Sequence, residues 1–394
     1  MQNIKISTTN SSIKYKNRDD LLLIYFDKPV NIAGVFTQSS MSAAPVLWCR
    51  KNIKNGTAKA LLVNAGNANC FTGKDGIEAV KKKAKILAAN LLCNEDEIFI
   101  CSTGVIGEKL DVTKIENKLP EMVKSANFNQ DSWLKAAQAI MTSDTKPKLI
   151  TTNCQIGDKN ITIAAIAKGA GMISPNMATL LSFIFTDANI SANILSQLLK
   201  EISEKTFNSI TIDSDTSTND TLLLFATKEA KNNEITDIND PQLVDFKNKL
   251  YDLCLNLSKM IVLDGEGVKK LIKIKVKGAT NSINAKEVAR AIGNSPLIKS
   301  AIAAADPNWG RIIMAIGKSC PNANQEHIDL KIGDFDIVIN GEISPNYNEN
   351  KVHQYLKNEE VTIEANLNLG NGSATVYGSD LNEEYVTINK DYRT

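Results

Sequence analysis

The chain has 394 residues, 43% hydrophobic and 23% charged, with 45 Lys+Arg against 44 Asp+Glu, a length that suggests about two or three domains. A net charge of +1 supplies no field to draw in nucleic acid or an anionic membrane, and only five basic residues are arginines (Arg18, Arg50, Arg290, Arg311, Arg393). Two histidines, His327 and His353, with no His-x-x-x-His or Cys-x-x-Cys spacing, exclude a conventional zinc site or Ser-His-Asp relay, so an enzyme built on this chain must move protons with another group.

Met1-Gln2-Asn3-Ile4-Lys5 has no signal-peptide character, and no apolar run approaches the ~20 residues that span a bilayer. Short apolar runs ending in glycine turns then alternate with helical patterns, the signature of an α/β or α+β protein. Strands are expected at Lys59 to Asn64, Glu97 to Ser102, Leu149 to Gln155, Asn160 to Ala167, Thr179 to Phe185 and Thr221 to Thr227. Amphipathic spacing predicts helices from Asp75 to Leu92, Ile190 to Phe207 and Pro241 to Val262. Polar, aperiodic Glu229 to Asp240 reads as a surface connection. From about Leu271 the character changes, giving expected domains 1–270 and 271–394. The strand Leu271 to Lys277 leads to a helix from Ala285 to Ala305. Strands follow at Arg311 to Ile316, Ile328 to Ile332, Phe335 to Ile339, Val361 to Leu367, Ala374 to Tyr377 and Tyr385 to Ile388, in a domain rich in antiparallel pairing. Seven scattered cysteines, mostly inside apolar runs, read as reduced thiols of a cytoplasmic protein.

Common cofactor signatures are missing. Gly169-Ala170-Gly171 begins a dinucleotide fingerprint, but Ser174 replaces its third glycine, and no phosphate-binding Gly-x4-Gly-Lys-Ser/Thr occurs. Asp213-Ser214-Asp215-Thr216-Ser217-Thr218-Asn219-Asp220 alternates acids like a calcium loop, yet lacks the glycine at position six and the closing glutamate, and reads as a hydrogen-bonded loop with no metal.

Lys168-Gly169-Ala170-Gly171-Met172-Ile173-Ser174-Pro175-Asn176-Met177-Ala178-Thr179-Leu180 combines glycines, Pro-Asn and a threonine that opens an apolar run. Thr179 is either an ordinary β-branched residue starting a strand or, if the chain is cut before it, a nucleophile with its own base. A free α-amine has a pKa of ~7.7–8.0 and is partly neutral near pH 7.

The Lys-Gly-x-Gly-Met-Ile-x-Pro-Asn-Met-Ala-Thr core, followed by Thr186-Asp187-Ala188, resembles the ornithine acetyltransferase (glutamate N-acetyltransferase) family of arginine biosynthesis. The resemblance runs through Asn64-Ala65-Gly66-Asn67-Ala68-Asn69, Ser102 to Gly107, Met141 to Lys148, Asp213 to Thr221, Asp306 to Arg311 and Ile388 to Thr394, in family order. It implies an N-terminal-nucleophile-like αββα sandwich with a C-terminal α/β domain, and self-cleavage between Ala178 and Thr179 into chains 1–178 and 179–394. Thr179 would carry acetyl from N-acetylornithine to glutamate in a ping-pong cycle. The resemblance also implies that Thr103 and Gly104 form the oxyanion hole, that Thr142, Lys168, Thr179, Glu266, Asn389 and Thr394 bind substrate, and that the assembly is α2β2. No cofactor is implied, and acetyl-CoA stays open as a second donor. The family pattern leads us to expect glycine where Ser214 stands. An aminopeptidase or amidase using the same threonine, with water as acceptor, and a non-catalytic amino-acid-binding protein are the competing readings.

Overall fold

Leu21-Leu22-Leu23-Ile24 and Ala60-Leu61-Leu62-Val63 are apolar at every position, as strands covered on both faces must be. The computed structural model, which describes residues 1, 3–174 and 180–390, joins such runs into an eight-stranded sheet. Its strands are β1 (Ile4–Thr9), β2 (Leu21–Phe36), β3 (Thr57–Asn67), β4 (Ile98–Val105), β5 (Lys148–Ile156), β6 (Lys159–Lys168), β7 (Leu181–Thr186) and β8 (Thr221–Ala226). Their spatial order is β4-β3-β2-β8-β7-β6-β5, with β1 beside β2. β2 serves both halves: Leu21 to Tyr25 pairs with β3, Asn31 to Phe36 pairs with β8, and the β3 ladder is irregular between Tyr25 and Val30.

Alternation along the strands separates two sets of side chains. Phe26, Leu61, Phe99, Phe183, Phe185 and Phe225 belong to one buried cluster, in which Phe185 stacks on Phe225 at 5.1 Å between ring centres. The opposite set, including Leu21, Leu23, Leu62, Ile98 and Ile100, packs against Val80, Ala84 and Leu87 of the helix Gly73–Leu91. The helix Ala192–Lys205 buries Ile194, Leu195, Leu198, Leu199 and Ile202 and lies against β2. Strand faces meet inside and helices lie outside, which is the αββα layering.

These elements belong to a first compact unit made of residues up to Gly169, residues 180–208 and Thr216–Leu257. The second unit takes Ala170–Ser174, Ser209–Asp215 and residues 258–390, so each unit draws on separated stretches of chain. The second unit contains β9 (Leu271–Ala279), β10 (Asp329–Ile332), β11 (Phe335–Ile339), β12 (Glu342–Ile343), β13 (Glu360–Asn366) and β14 (Gly372–Ser379), in the order β12-β11-β10-β13-β9-β14. Only β13 and β9 run parallel. Ile272, Ile274 and Val276 of β9 share its core with Val288 and Ile292 of the helix Ser282–Gly293.

Three expected elements differ. The helix read from Ala285 to Ala305 is two helices, Ser282–Gly293 and Pro296–Ala303, because Pro296 has no N–H to continue the ladder and starts a new first turn. Arg311 to Ile316, read as a strand, lies in the helix Trp309–Ser319, which buries Ile312, Ala315 and Ile316 at spacings of three and four. Tyr385 to Ile388 lies in the helix Glu383–Lys390. Within Glu229 to Asp240, Asn232 and Ile235 are buried, and Ile235 bridges Ile190, so that connection is anchored at its middle. The expected start of a strand at Thr179 falls outside the described residues. Among the described residues no helix is long and apolar enough to cross a membrane.

One packing choice carries a pH signature. Lys83, fully buried on the helix Gly73–Leu91, donates to Asn64 Oδ1 at 3.2 Å, and burial lowers its pKa to about 7. An unfolded lysine, at ~10.4, binds the proton that the folded one releases, so this residue's contribution to stability rises with pH from about 7 to ~10.4 and is lost as pH falls. Lys83→Met should lack that slope, so the difference between wild-type and variant urea midpoints should change with pH across that window. A pH-independent difference over that window would show that Lys83 is not shifted.

Candidate active site

The parallel ladder of β3 and β4 brings Ala65 opposite Thr103 and Gly66 opposite Gly104. There the backbones approach too closely for any side chain. A Cβ on Gly104, whose φ is +131°, would stand 2.2 Å from the carbonyl carbon of Gly66. A glycine is required on both counts. Ser102 Oγ donates to Asn64 Oδ1 at 2.7 Å, and Asn64 Nδ2 donates to Asn67 O at 2.9 Å. Asn219 Nδ2 binds the carbonyls of Ala68 (2.6 Å) and Ser102 (2.8 Å). The Asn-Ala-Gly-Asn-Ala-Asn block and the end of the Asp213–Asp220 cluster therefore fix the strand end that carries Thr103.

Lys168, the last residue of β6, is buried and donates to Thr103 Oγ1 at 3.2 Å. A hydroxyl that accepts this bond keeps its own proton for donation. Lys168 is placed by a residue that sequence reasoning left without a role. Asp144, buried, accepts from Lys148 Nζ at 2.7 Å and Gly169 N at 2.7 Å through Oδ1, and from Thr142 N at 2.9 Å through Oδ2. Burial pushes its carboxyl upward, but the charges of Lys168 and Lys148, with the Lys148 and Thr142 hydrogen bonds, win and hold it down at about 2. One carboxylate thus fixes the backbone of Thr142 and the exit from β6, and faces Lys168. Asp144 and Lys148 are four residues apart within the Met141 to Lys148 block, a spacing that was visible in the sequence.

A second group of expected residues meets within the second unit. Glu266, in the turn after the helix Val244–Leu263, is buried and accepts from Asn389 Nδ2 at 2.7 Å. Its backbone N–H donates to Ala170 O at 2.9 Å. A Cβ on Gly171 would lie 2.7 Å from the Glu266 carboxyl carbon, so the second glycine of Gly-x-Gly leaves room for an acid. Asn389 sits on the helix Glu383–Lys390, beside Tyr385, whose hydroxyl burial and then the Asp213, Glu266 and Asp215 charges raise to about 12. Thr103, Gly104, Thr142 and Lys168 are thus gathered in the first unit, and Glu266 and Asn389 in the second. Ala178, Thr179 and Thr394 lie outside the described residues.

Ser214 has φ +70°, in the left-handed region. The expectation of glycine there has a physical reason, and serine is strained.

An αββα layer with a hydroxyl, a close-approach glycine and a lysine at neighbouring strand ends is the framework of an N-terminal-nucleophile-like enzyme. The ArgJ family profile matches residues 5–394. The chain is 47% identical over 397 aligned positions to the arginine biosynthesis bifunctional protein ArgJ of Rhizobium meliloti (strain 1021), covering 100% of this chain and 96% of that one. It is also 47% identical to the protein of the same name from Brucella melitensis, with 99% and 95% covered. A crystal structure of the Bacillus halodurans protein of that name superposes with a TM-score of 0.50 at 42% identity, over 52% of this chain and 95% of that one. The chain belongs to the ArgJ family.

Asp144→Asn breaks a buried ion pair and should cost ~3–5 kcal/mol at pH 7. The folded carboxyl lies below its unfolded value of ~3.9, so its contribution is present above ~3.9 and lost as pH falls toward about 2; the variant should lack that acid slope in denaturant titrations. Equal stability at pH 7 would contradict the assignment. Ser214→Gly should raise stability by about 1 kcal/mol, checked by the same titration; destabilisation would show that serine is at ease there.

Proposed function

We propose that this chain is the acyltransferase of arginine biosynthesis that moves acetyl from N-acetylornithine to glutamate on Thr179, after cutting itself between Ala178 and Thr179. The observation that carries the reading is the Thr103 hydroxyl in contact with the Lys168 ammonium, one residue from a glycine that no side chain can replace, in an ArgJ-family chain without a histidine relay.

In the cut, the Thr179 hydroxyl attacks the Ala178 carbonyl carbon. The peptide C–N bond breaks, an ester forms and the Thr179 amine is freed. Water then hydrolyses the ester, leaving a carboxylate at Ala178 and a hydroxyl at Thr179. The products are chains 1–178 and 179–394. The freed amine, with a pKa of ~7.7–8.0, takes the hydroxyl proton when Thr179 attacks the acetyl carbonyl of N-acetylornithine. The tetrahedral oxyanion is met by the Thr103 hydroxyl and the Gly104 N–H, with Lys168 adding positive charge behind Thr103. Protonated by the amine, ornithine leaves; glutamate then attacks the acetyl ester and carries the acetyl away. A zwitterionic substrate needs a cation for its carboxylate and an anion for its ammonium groups. Lys168 and Glu266 supply one each, with Thr142, Asn389 and Thr394 as further contacts.

The relatives are called bifunctional, which supports acetyl-CoA as a second donor, acylating the same Thr179 with loss of CoA thiol. Further parts of the proposal are an α2β2 assembly of the cut chains and a cytoplasmic location, the latter in keeping with widely spaced cysteines, of which five are buried.

Intact-mass measurement should find two fragments meeting at the 178/179 bond, and Thr179→Ala should stay whole and inactive. Thr103→Val should lower kcat by ~10²–10³ while the chain still cuts and binds donor. With N-acetylornithine as donor, acetyl should appear on glutamate faster than as free acetate. Acetate as the main product would move the protein to the amidase reading, and activity in Thr179→Ala would place the nucleophile elsewhere.

A further inference from the structure

The Asp213 to Asp220 cluster looks at first like a metal loop, but its leading carboxylate is occupied by backbone. Asp213 Oδ2 accepts from Met172 N, and Oδ1 accepts from Ile173 N at 2.8 Å. On its other edge the same stretch is held by neighbouring residues: Ile212 N donates to Ile173 O at 2.6 Å, and Glu266 N donates to Ala170 O at 2.9 Å. Met172 is kept at φ +57°, a left-handed conformation that costs an L-residue ~1–2 kcal/mol and persists only where its surroundings impose it. Residues 170–174 are thus pinned within the second unit by side-chain and backbone groups that lie later in sequence than Thr179.

We infer that Asp213 is a positioning residue for self-cleavage, gripping Met172 and Ile173 so that the peptide a few residues on is held for attack by the Thr179 hydroxyl. This rests on the self-processing reading above. Five residues separate Ile173 from the 178/179 bond, a reach of at most ~18 Å, so the anchor limits where that bond can stand. The attacking oxygen and the carbonyl must come within about 3–3.5 Å, and a loose anchor spreads the bond over positions that cannot react. A carboxylate suits the task because, as an anion, it accepts from two successive N–H groups at once, one on each oxygen. The grip also crosses the break in sequence. After the cut it ties the new end of chain 1–178 to chain 179–394 without a covalent bond.

The grip depends on charge, and this distinguishes it from packing. Burial chiefly raises the Asp213 pKa, Asp215 raises it further, and the three amide donors at Ile173, Asp215 and Met172 oppose the rise. Among the described residues, Lys299, from the helix Pro296–Ala303, and Tyr385, from the helix Glu383–Lys390, are the other titratable groups that face it. Protonation therefore begins above the ordinary ~3.9 of an aspartate and weakens the grip as pH falls.

The experiment is cell-free synthesis of wild type, Asp213→Asn and Thr179→Ala, followed by intact mass against time at a series of pH values. Asp213→Asn should cut about tenfold more slowly than wild type at pH 8, the loss of a hydrogen bond to a charged acceptor. Wild type should slow with acidity along a limb that Asp213→Asn lacks. A variant that cuts at the wild-type rate overturns the inference and leaves self-processing standing. A wild type that stays whole, like Thr179→Ala, overturns the self-processing reading and this inference with it. If Asp213→Asn does not fold, the wild-type profile decides alone: a rate that does not fall with acidity overturns the inference.

Discussion

A carboxylate shut away from water is destabilising unless charges of the opposite sign surround it, and Asp144 satisfies that condition with two lysines and two backbone amides. The rest of the candidate site depends on this arrangement. Asp144 joins the residues before β5 to the exit from β6, fixes the Thr142 backbone, and faces the Lys168 that reaches Thr103. Without it, two buried ammonium groups would lose a counter-charge they share, and the start of β5 and the exit from β6 would lose their common partner. Asp144 touches no reacting atom in the proposed cycle, yet it places the groups that do.

The second dependence is steric. Gly66 and Gly104 bring two parallel strands so close that the register shifts just beyond them, where Asn67 pairs with both Thr103 and Val105, and Thr103 is the last side chain before that point. In the proposed cycle the Gly104 N–H acts beside a hydroxyl braced by an ammonium, a suitable arrangement for developing negative charge. In that cycle the absence of a histidine relay has a simple chemical counterpart: the base would be an amine that the chain makes by breaking its own peptide bond.

How much of this the sequence reveals differs from place to place. Strands with unbroken aliphatic runs, such as that at Ala60 to Val63, are legible because burial on both faces leaves few other readings. Arg311 to Ile316 is not, since Arg-Ile-Ile-Met-Ala-Ile is short and β-branched, and only the packing of Ile312, Ala315 and Ile316 on one side decides for a helix. Thr103, Gly104 and Lys168 enter through family resemblance; spacing alone cannot bring the ends of β4 and β6 together across 65 residues. Asp144 was inside a recognised block, and its i,i+4 lysine was a usable signal, but its value lies in burial, which sequence does not report. Asp213 was read as part of a hydrogen-bonded loop, which it is, while its partners at Met172 and Ile173, 41 and 40 residues away, could not be read. The positive φ at Ser214 explains an expectation of glycine that the sequence could register without explaining.

The central claim is that acetyl rests on the threonine hydroxyl between the two half-reactions. Purified protein given N-acetylornithine and no acceptor, quenched in acid and digested, tests it directly by peptide mass. The account predicts one added acetyl group on the peptide that begins at Thr179, lost again when glutamate is added before the quench. Acetyl found on Lys168, or no acetylated peptide although transfer to glutamate proceeds, would contradict it.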